Sequence, residues 1–117
     1  MDVVLSEDDV VQPDVLFVSA ARASIVTEKN ISGAPDLAVE VLSETTRKTD
    51  LSVKRKLYAA SGVREYWVAD PELETVAVYR AGQAGYERAA ELSLEAKDSV
   101  QTPLLPGLSL PLSEIFG

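Results

Sequence analysis

Histidine and cysteine are both absent from this chain of 117 residues. A catalytic zinc site, a Ser-His triad and a cysteine nucleophile each need at least one of these side chains. These classes of site are therefore excluded. The absence of cysteine also excludes disulfides, which is compatible with the reducing cytoplasm where we expect this protein. Carboxylates and lysines remain as the candidates for chemistry.

Positive charge and long apolar segments are also scarce. Eleven Lys and Arg against nineteen Asp and Glu give a net charge of -8, the wrong sign for tight nonspecific binding to a phosphate backbone. No apolar run approaches the roughly 20 residues of a membrane-spanning helix, and no basic-then-apolar leader begins the chain. We therefore expect no membrane partner and one compact domain over residues 1–117.

Hydrophobic patterning predicts a sheet with one well-defined helix. The segment PDLAVEVLS is apolar on both faces, which is typical of a central strand. A short N-terminal strand, an acidic turn and a strand at about 14–19 predict a hairpin. The segments EYWVAD, ETVAVYR and YERAAELSL predict an antiparallel meander. A short helix is expected at 112–116.

The main helix is predicted at about 50–61, and the glycine that follows is a suitable C′ residue. On a wheel that advances about 100 degrees per residue, Lys54 lies on the inward, apolar arc. Lys56 and, less decisively, Arg55 fall on the solvated face. A lysine aimed at a sheet that bears Glu40 predicts a pair, either a purely structural ion pair or part of a functional site. The apolar residues of the arc are Leu51, Val53, Leu57 and Tyr58.

Two carboxylates lie at the edges of predicted strands, Asp14 at a strand start and Glu40 near the end of the central strand. Carboxylates of this kind can hold Mg²⁺ or Mn²⁺ against a phosphodiester, while a cation such as Lys54 stabilises the developing charge. Asp14 and Glu40 can converge on one ion if their strands are neighbours. Asp36 lies four strand residues from Glu40, roughly 13 Å, so we expect it to bond backbone donors after the Gly33 turn instead.

Other polar and aromatic residues have simpler interpretations. We expect Tyr66 and Trp67 to pack on opposite faces of one strand, and Asp70 to form a turn before Pro71. One run of basic residues forms the only concentrated positive patch of the sequence, most simply a solvated helix face; nucleic acid, if bound, would bind there. This patch consists of Arg47, Lys48, Lys54, Arg55 and Lys56.

Four segments resemble the Uma-two family of restriction endonuclease-like proteins, within the PD-(D/E)xK nuclease superfamily. They are VVQPDVLFVS, PDLAVEVLS, TRKTDLSVKRKLYAASGVREYWVADP and LPGLSLPLSEIF, in the family's order and over nearly the whole chain. The resemblance implies an α/β (α+β) fold with a restriction endonuclease-like mixed β-sheet core and flanking helices. It also implies DNA hydrolysis that depends on Mg²⁺ or Mn²⁺.

The same resemblance implies residue roles. Asp14 matches the aspartate of the family's QPD motif, Glu40 the glutamate of PDL-x-VEVLS, and Lys54 the lysine of DL-x-x-K. Asp14 and Glu40 would be metal ligands as well as catalytic residues. The lysine is displaced from the usual E-x-K position, which Leu42 occupies here, to the helix.

Similar proteins normally carry a substantial N-terminal region, so the chain resembles a shortened member that lacks helical cover. We therefore expect a homodimer or larger assembly. Two hypotheses follow: a Mg²⁺-dependent DNA endonuclease, or a noncatalytic dimerisation or interaction module that retains the nuclease core. A metal site that acts on another phosphoester is a third.

Overall fold

The structure, a computed structural model, describes residues 2–6, 10, 11, 13–43, 51–83 and 85–116. No helix in these ranges is both long and apolar enough to cross a membrane. The elements in chain order are β1 (Val3–Val4), β2 (Val10–Val11), β3 (Val15–Phe17), a 3₁₀ helix (Ala20–Ile25), β4 (Ile31–Ser32), β5 (Leu37–Val41), α1 (Leu51–Ser61), β6 (Glu65–Asp70), β7 (Thr75–Gly82), β8 (Gly85–Ser93), β9 (Ser99–Val100), β10 (Leu110–Pro111) and α2 (Leu112–Phe116).

A five-stranded mixed sheet, in the order β3-β5-β6-β7-β8, organises the fold. Strands β5 and β6 are parallel, whereas the other neighbours are antiparallel. Parallel neighbours need a crossover connection, and α1 lies in the segment that joins β5 to β6. The predicted central strand, the meander and the terminal helix at 112–116 are confirmed, as is the mixed α+β class.

The N-terminal strands pair differently from the prediction. Strand β1 pairs antiparallel with β2, with Val3 opposite Val11, and parallel with β4. Strand β3 pairs instead with β5 of the larger sheet. The predicted hairpin between the first strand and the strand at 14–19 is therefore wrong. Two Val-Val pairs form the hairpin, and Pro13, which cannot donate a backbone hydrogen bond, separates β2 from β3.

Apolar side chains cover both faces of the five-stranded sheet. Tyr66 and Trp67, successive residues of β6, pack into different clusters, as their alternation predicts. The cluster on the α1 face has as its buried members Ala38, Leu42, Tyr58, Val63, Tyr66, Val68 and Tyr79. The opposite cluster, which includes residues of the C-terminal segment, has Leu37, Trp67, Ala69, Val76, Val78, Val100 and Leu112.

A Schellman motif ends α1. The N–H of Gly62 donates to the carbonyl of Ala59 (3.3 Å), and that of Val63 donates to the carbonyl of Tyr58 (3.1 Å). Gly62 has a φ of 88°, in the left-handed region that glycine adopts without steric cost. Val63 and Tyr58 are both fully buried in the same cluster. The predicted helix end is confirmed, and this cap fixes the last turn, which carries Tyr58.

The face that α1 turns to the sheet differs from the predicted one. Val53, expected on the inward arc, is 64% exposed, and Arg55, expected on the solvated face, is half-buried with its guanidinium over the Tyr79 ring. Lys54 and Tyr58 do point inward. The observed inward face is thus rotated by roughly 60 degrees towards Arg55. The cause is tertiary, because α1 also contacts β8, and the Arg55 guanidinium packs on the ring of Tyr79 in β7, the strand next to β8.

A buried carboxylate on the opposite sheet face ties the C-terminal segment to the sheet. Glu65 is 2% exposed; it accepts hydrogen bonds from Trp67 Nε1 (2.7 Å) and Thr102 Oγ1 (2.6 Å). Arg80 Nε lies 3.5 Å from its Oε2. A buried charge needs such partners, and Glu65 finds them across 37 residues of sequence. It therefore has a structural role that the strand pattern alone did not indicate.

Candidate functional site

Glu40 is the most buried member of the candidate site. It lies in β5, on the face that α1 covers, and is 6% exposed. Tyr58 donates a hydrogen bond from its hydroxyl to Oε1 (2.7 Å), and Lys54 Nζ lies 3.4 Å from Oε2. Both partners come from α1, four residues apart, so they share one side of the helix. Each oxygen of Glu40 therefore has its own donor.

Lys54 contacts Glu40, as its position on the helical wheel predicts. Its side chain is 29% exposed, so Lys54 lies at the border between the buried Glu40 and solvent. The separation of 3.4 Å exceeds the roughly 2.7–2.9 Å of a short charge-assisted hydrogen bond. Lys54 is thus held beside Glu40 while retaining donors for a further partner. This contact is compatible both with a structural ion pair and with a functional site.

Asp14 lies directly before β3, the neighbour of β5. Val15 faces Val39 in the antiparallel register, so continuing that register by one residue sets Asp14 across from Glu40. The Asp14 N–H donates to the carbonyl of Val39 (3.0 Å), and Asp14 Oδ2 accepts a hydrogen bond from the N–H of Val41 (2.6 Å). The two strands are neighbours, which is the condition that convergence of Asp14 and Glu40 requires. The carboxylate of Asp14 is exposed and bound to the backbone beside Glu40.

Asp36 is a buried anchor away from these residues. It is 1% exposed, its Oδ2 accepts the N–H of Ser19 (2.7 Å), and its Oδ1 pairs with Arg22 (3.2 Å). Burial opposes ionisation of this carboxyl, but the Ser19 N–H and the Arg22 guanidinium outweigh it and lower the pKa of Asp36 below its usual value. The predicted structural role is supported, whereas the predicted source of the donors was wrong. They are the N–H of Ser19, the residue before the 3₁₀ helix, and the guanidinium of Arg22 within that helix, not groups of the Gly33 turn.

Three tyrosines pack together on the sheet face that carries Glu40. No sequence motif marked them as part of the site. The rings of Tyr58 and Tyr66 lie 5.1 Å apart between centroids, and Tyr66 and Tyr86 lie 6.1 Å apart. Burial raises the pKa of all three hydroxyls above 10, and the Glu40 carboxylate adds to the increase at Tyr58 and Tyr66. Tyr58 therefore stays a proton donor to Glu40. Its spacing of four residues from Lys54 was the sequence signal for this contact.

The remaining polar predictions have mixed outcomes. Asp70 forms the predicted turn, because its Oδ1 accepts the N–H groups of Glu72 (3.0 Å) and Leu73 (3.1 Å). In the predicted basic patch, Lys56 is exposed as expected, whereas Lys54 and Arg55 face the sheet. The other two members, Arg47 and Lys48, and the predicted helix start at Asp50 lie outside the described residues.

The capacity of the site for a metal rests on two carboxylates. Within the ranges that the structure describes, no group of three or more acidic side chains is arranged to hold a metal ion. Mg²⁺ in proteins commonly keeps several waters and takes only one or two carboxylates together with substrate phosphates. One oxygen of Asp14 accepts a hydrogen bond from the Val41 N–H, and Oε2 of Glu40 lies beside the Lys54 ammonium group. Two carboxylates are the number that a hydrated Mg²⁺ of this type takes.

Comparisons with known proteins agree with this fold. Residues 1–113 match the Uma2 family, described as "Putative restriction endonuclease". A crystal structure of a "putative nuclease belonging to DUF820" from Anabaena variabilis is similar over 94% of this chain, with a TM-score of 0.74 and 25% identity. This chain spans 62% of the length of that protein. A search of curated proteins finds no match. Because the family match covers nearly all of its residues, the chain belongs to the Uma2 family and has its restriction endonuclease-like fold.

Proposed function

We propose that this chain is a Mg²⁺-dependent endonuclease that hydrolyses phosphodiester bonds of DNA, with Asp14, Glu40 and Lys54 as its catalytic residues. The observation that carries the proposal is the contact of Lys54 with Glu40 beside the backbone that binds Asp14. Membership of the Uma2 family supports a nuclease. The order of the three residues along the chain also matches the family's motifs.

The proposed metal ligands are Asp14 and Glu40. When bound there, Mg²⁺ or Mn²⁺ would polarise the phosphate and lower the pKa of an attacking water. The N–H of Val41 fixes the Asp14 carboxylate, and the Tyr58 hydroxyl fixes that of Glu40. Such outer contacts orient metal-binding carboxylates and tune their affinity. The chain thus orients each proposed ligand through one hydrogen bond.

The proposed role of Lys54 is to stabilise the negative charge that develops on the phosphate. Its side chain is partly exposed and its ammonium group is already next to Glu40, so a phosphate oxygen bound beside Glu40 can replace part of that contact. Glu40 meanwhile keeps the lysine positioned. The same Lys54–Glu40 contact would therefore act as an ion pair when no substrate is bound and would place the lysine for catalysis when a phosphate is bound.

Nicking of supercoiled plasmid DNA tests the proposal. We expect nicking with Mg²⁺ or Mn²⁺ but not with EDTA, and a loss of about 100-fold or more in Glu40→Gln and Lys54→Met. Matched controls are Glu95→Gln, an exposed carboxylate, and Lys56→Met, an exposed lysine of the same helix. Nicking that is unchanged in both site variants would refute the assignment.

Calorimetric titration with Mn²⁺, combined with the nicking assay on Lys54→Met, distinguishes a catalytic Lys54–Glu40 pair from a purely structural one. Lys54→Met removes a cation 3.4 Å from Glu40 Oε2, so the metal affinity should stay or rise while nicking falls. A purely structural pair predicts lower stability with nicking retained. The noncatalytic module predicts neither nicking nor Mn²⁺ binding near millimolar metal.

A homodimer and a cytoplasmic location complete the proposal. Exposed apolar side chains near the β3 edge of the sheet, Val15 (55%) and Val41 (45%), are compatible with an interface there. Light scattering after size-exclusion chromatography should give twice the monomer mass. A stable monomer at micromolar concentration would overturn this part.

A further inference from the structure

A groove beside the candidate site brings two arginines together in an otherwise acidic chain. It has a volume of about 290 Å³ and lies on the α1 face of the sheet, with lining residues from β6, β7 and β8. Arg55 enters from α1 and Arg88 from β8. Tyr66, Tyr79 and the carboxylates Asp70 and Glu91 also line it.

Both guanidinium groups are placed by the Tyr79 ring. They lie 5.4 Å (Arg55) and 5.5 Å (Arg88) from its centroid, within the range of a cation–π contact. Arg88 also donates to the Tyr79 hydroxyl (3.0 Å). Two like charges beside one ring repel each other, and an anion between them would relieve that repulsion. Their planar donor groups suit phosphate oxygens in particular.

Tyrosine rings connect this groove to the candidate site. Tyr58, which binds Glu40, packs on Tyr66, and Tyr66 packs on Tyr79 with ring centroids 6.0 Å apart. Tyr66 lines the groove, and its hydroxyl is buried with no hydrogen-bond partner in the described part of the chain. A buried hydroxyl without a partner is costly, and an oxygen-rich ligand or its water would satisfy it.

We propose that Arg55 and Arg88 bind a backbone phosphate of the nucleic-acid strand next to the phosphate that is cut. This subsite rests on the proposed nuclease function, because it identifies where a chain of net charge -8 receives its polyanionic substrate. Two carboxylates also line the groove. Asp70 is engaged by backbone donors of its turn, whereas Glu91 pairs with Arg88 (3.3 Å) and therefore competes with the phosphate.

Binding of a fluorescein-labelled DNA duplex, followed by anisotropy in EDTA over a salt series, tests the subsite without cleavage. We expect Arg55→Gln and Arg88→Gln each to weaken binding and to reduce the slope of log K against log salt by up to about 0.9. A slope change of that size makes the ratio of wild-type to variant affinity fall about threefold between 50 and 200 mM salt. Glu91→Gln should strengthen binding.

Lys56→Gln is the matched control, because it removes the same charge from the exposed face of α1. Circular dichroism melts check that each variant is folded. The subsite is refuted if Arg55→Gln and Lys56→Gln have equal effects, if Glu91→Gln weakens binding, or if the wild type does not bind DNA. Metal-dependent nicking that persists together with any of these results leaves the proposed function intact, so the two failures can be distinguished.

Discussion

Replacing Tyr58 with phenylalanine is the most direct test of how Glu40 is held. The change removes one hydroxyl and keeps the ring, which is fully buried and packs on Tyr66. Glu40 Oε1 then loses a donor at 2.7 Å in a buried environment. Hydrogen bonds to charged groups contribute about 1.5–3 kcal/mol, so we expect Tyr58→Phe to lower the free energy of unfolding by that amount.

The same substitution should also affect metal binding. Loss of an outer partner of a metal ligand commonly lowers metal affinity or activity by about 10- to 100-fold. We therefore expect weaker Mn²⁺ binding by calorimetry and slower nicking, together with a denaturation midpoint shifted to lower urea concentration. The two losses share one cause, because an unrestrained Glu40 is less stable in the fold and less well oriented for the ion.

Tyr66→Phe is the control for this prediction. Its ring lies beside that of Tyr58, but its hydroxyl has no hydrogen-bond partner in the described residues. Removing such a group is expected to leave stability unchanged or to increase it. Equal effects of Tyr58→Phe and Tyr66→Phe on both unfolding and Mn²⁺ affinity would refute the reasoning.

Three further predictions concern the framework of the site. Gly62→Ala should cost about 1–2 kcal/mol in urea denaturation, because a Cβ at a φ of 88° is strained although nothing lies within 4 Å of it; an unchanged midpoint would contradict the left-handed cap. Tyr58, Tyr66 and Tyr86 have raised pKa values, so their neutral forms stabilise the fold fully below pH 10 and this stability is lost as the pH rises further. Absorbance at 295 nm should therefore show their ionisation only together with unfolding, and ionisation of all the tyrosines at pH 10 in folded protein would contradict it. Glu65→Gln should lower the free energy of unfolding by about 2–3 kcal/mol in the same denaturation assay, because an amide cannot accept all the hydrogen bonds of the carboxylate; a loss below 0.5 kcal/mol would contradict its structural role.

Local periodicity was sufficient to identify the Lys54–Glu40 pair. The phase of one helix separated Lys54 from Lys56, and the observed contact and exposure agree with that separation. The same wheel failed for Val53 and Arg55, because it assumed that the centre of the apolar residues faces the sheet. The actual orientation depends on two strands that follow later in the chain. Tyr79 of β7 packs its ring against the Arg55 guanidinium, and β8, which pairs with β7, also contacts α1. No window around α1 contains that information.

Hydrogen bonds between residues far apart in the chain could likewise not be predicted from the sequence. Strand spacing predicted that Asp36 lies too far from Glu40 to share an ion with it. It did not predict the two donors to the Asp36 carboxylate, which lie 14 and 17 residues earlier. The strand pattern around Glu65 does not predict its structural role, because its partner Thr102 lies 37 residues later in the sequence. Buried carboxylates can be suspected from a strand pattern, but the fold alone decides which groups compensate their charge.

The two proposed metal ligands differ in how firmly the fold holds them. Glu40 lies in a strand with neighbours on both sides, is nearly inaccessible to solvent, and is bound by two side chains of a capped helix. Asp14 is exposed, precedes a three-residue edge strand, and depends on the Val41 N–H for its orientation. Edge segments with few buried contacts open most readily. The geometry of the proposed metal site is therefore limited by the pairing of β3 with β5, because Glu40 is already fixed by the core.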